Sequence, residues 1–167
     1  LKEANIDFKG IDYIAVSNYP GLLGSLLVGL MVAKSLAFVL KCPLIGVNHV
    51  EAHPYANVLS HGKMNFPILH LVVAGGHTLL MNAKDHFDYK IIGQSLDDAA
   101  GECVDKVAKM YGYPMPGGPV VDLAAQKFPG DTFSFPRPLM HKKDYNFSFS
   151  GLKTAMLRFS EKNSDKF

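Results

Sequence analysis

The run from Leu22 to Leu40 constrains this chain more than any other feature, because it is almost wholly apolar and carries a single charge, Lys34. A membrane span needs about 20 apolar residues, so length alone fits one. Gly24, Ser25, Gly29 and Ser35 interrupt the run, however, and strand-like segments abut both ends: Ile14-Ala-Val16 before it and Leu44-Ile-Gly-Val47 after it. That leaves no room for membrane flanks. The run predicts a crossover helix buried between sheet layers, joining two parallel strands by a right-handed connection. The expectation is a protein with no membrane segment.

Composition agrees with a globular α/β chain. Of 167 residues, 48% are hydrophobic and 19% charged, with 15 Gly and 10 Pro, enough apolar material for a core in one domain or the joined parts of two. The net charge of +2 is mixed along the chain, so no basic stripe announces nucleic acid. Cys42 and Cys103 lie far apart and have no CxxC partner, which suits buried thiols in a reduced, cytoplasmic protein. Leu1 is not an initiator Met, no charged n-region followed by an apolar h-region opens the sequence, so no signal peptide is expected, and the last helix has no obvious cap; the expectation is a fragment of a longer enzyme.

The chain falls into two patterns. In the first, a strand over Ile11–Ser17, the turn Asn18-Tyr-Pro-Gly21, the apolar helix and a strand opened by Pro43 lead to Asn48. Asn48 is a good N-cap for a helix from His49 to Ser60. Gly62 to Asn65 is the candidate boundary, giving domains 1–64 and 65–167. In the second, Ile68–Ala74 is a continuous apolar strand expected to be buried on both faces. Gly75-Gly76 reads as a two-residue hairpin link with positive φ, and His77–Ala83 and Tyr89–Gln94 as further strands. A helix over Asp98–Tyr111 places Cys103, Val107 and Ala108 on one face, with Ser95 near its start. The rigid loop Gly112–Pro119, a short helix over Val120–Lys127, an irregular aromatic stretch and a helix from Ser150 complete the chain. Three antiparallel strands leading into a helix is the order in which each half of the actin-like ATPase fold begins. The expected fold is therefore an incomplete actin-like one: the end of a first lobe, then the start of a second.

Three constellations can carry chemistry. His49 and His53 stand at i and i+4, so one helical face can offer both imidazoles to one metal ion; on spacing alone, two unrelated surface histidines are an equally good account. Their position after a buried strand favours a ligand site. A zinc protease would place Glu directly after the first His. Here the order is His49-Val-Glu-Ala-His53, which turns Glu51 roughly 200° away from each His around the helix. Pro54 is expected to bend the helix just after the second imidazole. The second constellation, Val72-Val73-Ala74-Gly75-Gly76-His77-Thr78, is either an ordinary hairpin or a backbone cradle for an anion. The third joins Asp105, Gly117-Gly118 and Asp122, residues suited to ribose hydroxyls but equally to a solvated helix face and a turn. Cys103 falls on the apolar face, against a nucleophilic role.

Six ordered motifs then resemble one family: Val47-Asn-His-Val-Glu-Ala-His53, Ala74-Gly-Gly-His-Thr78, Leu96-Asp-Asp-Ala-Ala-Gly-Glu102, Asp105-Lys-Val-Ala-Lys109, Pro116-Gly-Gly-Pro119 and Phe147-Ser-Phe-Ser-Gly-Leu-Lys-Thr154. Together they are similar to the TsaD family of tRNA threonylcarbamoyltransferases, once called O-sialoglycoprotein endopeptidases. The resemblance implies the actin-like ATPase fold and one divalent metal ion, iron ahead of zinc. It also implies transfer of a threonylcarbamoyl group from threonylcarbamoyl-AMP to N6 of the adenosine 3′ of the tRNA anticodon, with accessory protein subunits. Position by position, His49 and His53 match the metal-binding histidines. Val72, Val73, Ala74, Gly75 and Gly76 match the adenylate-binding segment, and Asp105, Gly118 and Asp122 match further substrate contacts. Ala74 stands where the family usually has Ser, Ala52 where it has Gly, and Asn18-Tyr19 where it has small residues. The family's third metal ligand and a late substrate Asn lie beyond Phe167, so the isolated chain is expected to be inactive and to bind metal poorly. The rival readings are another carbamoyltransferase or sugar-kinase relative on the same lobes, a non-catalytic scaffold and, last, a protease.

Overall fold

The structure is a computed structural model that describes residues 3–127 and 133–163. The described chain divides into two compact units, Leu1–Met64 and Asn65–Phe167.

In the first unit, after a 3-10 turn at Phe8–Gly10, strand β1 (Ile14–Tyr19) leads through helix α1 (Leu23–Leu40) to strand β2 (Leu44–Asn48). β1 and β2 pair in parallel from Ile14 opposite Leu44 to Ser17 opposite Val47. The helix therefore runs back along its own sheet, as a crossover must. It is the one helix among the described residues long and apolar enough to cross a membrane. The expected burial between layers is not found: Ala33 and Ala37 are its buried residues, while Phe38 is 85% exposed. The small residues let α1 close on β1, and within this unit the described strands pack against that side of the helix alone. A bulge at Asn18 carries its side chain across Gly46 of β2, where a Cβ would collide with it. Helix α2 (His49–His61) follows directly and continues through Pro54, which is buried. The bend expected there does not end the helix.

In the second unit, β3 (Ile68–Val73), β4 (Thr78–Asp85) and β5 (Asp88–Gln94) form an antiparallel sheet in that order. The sheet leads into α3 (Ala100–Met110), α4 (Gly118–Lys127) and α5 (Ser150–Lys162). The α/β class and the strand-strand-strand-helix order are those expected from sequence. Two expectations fail. β3 is not buried on both faces: His70 and Val72 point inward, whereas Leu69, Leu71 and Val73 are exposed. It alternates as a strand does when only one of its faces is turned to a core. The β3–β4 link is also not a two-residue turn. Val73 pairs with Thr78, Ala74 N–H donates to the His77 carbonyl (2.8 Å), and neither Gly75 nor Gly76 has positive φ. Four linking residues close the hairpin without primed geometry.

The core of this unit is formed by Val72, Met81, Ala83, Ala99, Cys103 and Ala108. Its amphipathic helix α3 buries Cys103 and Ala108. The segment before α5 is laced onto the end of β5: Ser95 and Phe147 form a parallel bridge, Leu96 N–H donates to the Phe147 carbonyl (2.9 Å) and Phe147 N–H to that of Gln94 (2.9 Å). Gly93 permits this, since a Cβ there would strike the Tyr145 carbonyl.

Candidate functional site

The histidine pair is set by how β2 becomes α2. Asn48 ends the strand, and its Oδ1 accepts from Val50 N–H (2.9 Å) and Glu51 N–H (3.4 Å). Its Nδ2 in turn donates to Glu51 Oε1 (2.9 Å). This reciprocal cap fixes the first helical turn and gives Glu51 a structural role at the helix start. His49 is then the first helical residue and His53 stands one turn later, their ring centroids 4.5 Å apart at an interplanar angle of 62°. His49 is exposed and His53 half-buried. Two imidazoles this close on one face suit a shared ion with nitrogen ligands. No cluster of three or more His, Cys, Asp or Glu able to hold a metal occurs among the described residues, so the pair alone is an incomplete donor set.

The hairpin segment is built in the second unit. Val72 is buried and Val73 exposed. Ala74 to His77 make the turn, and a Cβ added to Gly75 or Gly76 would meet nothing within 4 Å. The glycines are thus not demanded by packing within the protein, and they leave bare backbone facing open space. The close packing is at Gly101 of α3, whose Cβ position lies 2.6 Å from the Ala74 carbonyl oxygen and 2.8 Å from Gly75 Cα. Thr78, buried at the base of the hairpin, accepts Ala100 N–H on its Oγ1 (2.9 Å). This hydroxyl caps α3, whose own N-cap residue, Ala99, has no side-chain bond to give. Ser95, the expected cap, instead donates to the Asp98 carbonyl (2.6 Å). Beside the turn lies a cavity of about 170 Å³ lined by Gly76, His77, Thr78, Ser95, Asp97 and Glu102.

Asp105 and Gly117 are brought together: Gly117 N–H donates to Asp105 Oδ1 (2.8 Å). Gly117 fits only because it lacks a Cβ, which would collide with Ala108. Asp105 therefore fastens the Pro116–Pro119 loop to α3, and Gly118 begins α4. Asp122 makes its bond within α4, accepting from Gln126 Nε2 (2.9 Å).

Asp97, assigned no role from sequence, is the most heavily bonded carboxylate in this region. It accepts from Ser148 Oγ (2.6 Å), Phe149 N–H (2.8 Å), Ser150 Oγ (2.7 Å) and Ser150 N–H (3.3 Å). Desolvation pushes its pKa up, but these bonds together outweigh that and hold the carboxyl well below the usual range. An acidic pair before a helix is a legible start signal. What sequence could not tell is that Asp97 serves α5, far along the chain, rather than the adjacent α3. Lys106 bonds Asp98 and Glu102, both at 2.8 Å, and these bonds raise its pKa. Cys103 is buried and donates to the Phe149 carbonyl (3.4 Å); burial, then the Asp98 charge, push the thiol up. That environment suits an inert structural thiol.

Comparison with known proteins adds a consistent result. Residues 1–164 match the family model described as TsaD, tRNA N6-adenosine threonylcarbamoyltransferase. Relatives bearing the name tRNA N6-adenosine threonylcarbamoyltransferase include one from Thermotoga neapolitana, 47% identical over 99% of this chain and 51% of its own length. Another, from Geotalea daltonii, is 49% identical over 98% of this chain and 48% of its own. A third, from Clostridioides difficile, is 46% identical over 95% and 47%. The chain spans about half the length of the curated relatives it matches. Among solved structures, YeaZ from Pseudomonas aeruginosa matches with a TM-score of 0.40 and 14% identity, over 98% of this chain and 73% of that one.

Proposed function

The chain belongs to the TsaD family, and on that footing we propose that the whole protein transfers a threonylcarbamoyl group from threonylcarbamoyl-AMP to N6 of the adenosine 3′ of the tRNA anticodon. The observation that carries this reading is the open Ala74–His77 turn: bare glycine backbone held against the start of α3 beside a small polar cavity. Backbone N–H groups at such a turn suit the phosphate of an adenylate, with Val72 and Val73 placing the strand that carries them. Asp105 acts through the loop it fastens, setting Gly118 for the nucleotide, and Asp122 offers a carboxylate from α4. Ala74 has no hydroxyl to add a hydrogen bond at this turn.

His49 and His53 hold one divalent ion in this reading, iron ahead of zinc, with the third ligand supplied by the remainder of the protein. When bound, such an ion supplies Lewis-acid polarisation of a carbonyl oxygen. The chain's own residues orient the donor; this reading assigns no general base among the described residues and lets positioning supply most of the acceleration. Accessory protein subunits and a cytoplasmic location belong to the same reading.

The test uses the full-length protein. Elemental analysis should find about one metal ion per chain, and His49→Ala should lose it. Transfer of labelled threonylcarbamoyl to tRNA should fall at least 100-fold in the same variant. Full metal content and unchanged transfer in His49→Ala would sink the ligand assignment.

A further inference from the structure

Thr78 is one of two buried polar residues among the described residues, at 4% exposure, and three separate constraints meet on it. Its backbone closes the hairpin, paired with Val73 across the mouth of the turn. Its carbonyl accepts Ser95 N–H (3.0 Å), which ties β4 to the segment leading into α3. Its hydroxyl accepts Ala100 N–H (2.9 Å), the first amide of α3, from 22 residues away in sequence.

That last bond is not the one the local sequence offers. A helix start is ordinarily capped by Ser, Thr, Asp or Asn just before it, and Ser95, Asp97 and Asp98 all stand there. Each is engaged elsewhere: Ser95 with the Asp98 carbonyl, Asp97 with Ser148 and Ser150, Asp98 with Lys106. The cap comes from the hairpin instead. A bond that satisfies α3 from across the chain also holds the strand that gives it, and that strand carries the turn. Gly101, the residue after Ala100, packs so tightly on the turn that a Cβ would lie 2.6 Å from the Ala74 carbonyl oxygen. Gly75 and Gly76 are exposed and have no side chains of their own to fix them.

We infer that Thr78 is a positioning residue for the donor: its hydroxyl, through Ala100, sets where the Gly75-Gly76 backbone stands relative to α3, and so how the turn receives a phosphate. The inference rests on the proposed transfer reading and adds to it a residue that touches no reacting atom. Backbone amides held in place bind a phosphate without first being ordered, whereas a loosened turn must be ordered at the moment of binding. A helix cap with no further role predicts something different, a loss of stability alone.

The test is calorimetric titration of the full-length protein with AMP, beside donor kinetics. Thr78→Val keeps the volume but gives Ala100 N–H no acceptor. AMP should then bind about tenfold more weakly, and KM for threonylcarbamoyl-AMP should rise with kcat nearly unchanged. Thr78→Ser, which keeps the oxygen, should restore both. Ala99→Ser gives α3 a cap of its own, so in the double variant Thr78→Val with Ala99→Ser the thermal midpoint should recover while AMP affinity stays low. Recovery of affinity together with the midpoint would reduce Thr78 to a cap and overturn the inference. So would a parent protein that binds no AMP, parental AMP affinity in Thr78→Val, or equal weakening in Thr78→Ser. Transfer with a parental donor KM in Thr78→Val sinks the positioning role and leaves the transfer reading standing. AMP binding that depends on the Thr78 hydroxyl, in a protein that transfers nothing, sinks the transfer reading alone.

Discussion

In the first unit the most apolar helix, α1, buries Ala33 and Ala37 and leaves Phe38 85% exposed, whereas in the second the far more polar α3 buries Cys103 and Ala108 to 1%. The contrast follows from pattern. A helix apolar all round needs cover on every side, while an amphipathic one is satisfied by a single sheet face. α3 has that face, a cap from Thr78 and a fastened loop through Asp105. α1 has two strands. The first unit leaves most of its apolar helix exposed; the second carries its own core.

The largest effect that tests this contrast is expected at Met81, which is 2% exposed in the sheet of the second unit. Met81→Ala should cost about 2–5 kcal/mol, read as a lower denaturation midpoint. A loss near zero would mean the second unit is no better packed than the first.

Gly101→Val comes next. Its side chain must enter where the Ala74 carbonyl and Gly75 backbone already lie, atoms with little freedom to yield. A cost of about 1–3 kcal/mol is expected, with faster amide hydrogen exchange at Gly75 and Gly76. Unchanged exchange would separate the turn from α3.

Asp97→Asn removes the carboxylate that caps α5, at a cost of about 1 kcal/mol. The sign of its pH dependence is fixed: the folded pKa is depressed, so the advantage of Asp97 is fully present above the ordinary carboxylate pKa of about 4 and is lost as pH falls below it. The gap between denaturation curves of the two forms should therefore be constant from pH 7 to about pH 5 and begin to narrow as pH falls through about 4 toward the depressed folded pKa. A gap that stays constant would show that the bonds to Ser148 and Ser150 contribute little.

The smallest effect belongs to α1. Phe38→Ser in this 167-residue chain should shift stability by no more than about 0.5 kcal/mol. A loss approaching that of Met81→Ala would show the helix to be covered after all.

Legibility differed by residue. Asn48 as a cap, the i and i+4 placement of His49 and His53, and the amphipathic face of α3 are local matters, and each was readable from spacing. The order of elements was readable too, because periodicity changes where strands give way to helices. The hairpin's geometry was not. Gly75-Gly76 suggested a two-residue turn with positive φ, and the chain used four residues because Val73 pairs with Thr78. Register belongs to both strands at once, so no dipeptide fixes it.

The feature that most constrained the sequence shows the same division. The composition of Leu22–Leu40 determined that it would be a helix between two parallel strands, since local hydrogen bonding and flanking strands leave few alternatives. Whether it would be buried was beyond its own residues, because burial is a property of what packs against a surface. Likewise Asp97 announced a helix start, and only the tertiary structure decided which helix. Hydrogen bonds between segments some fifty residues apart form only once the chain has folded back on itself, so they leave no pattern along the sequence.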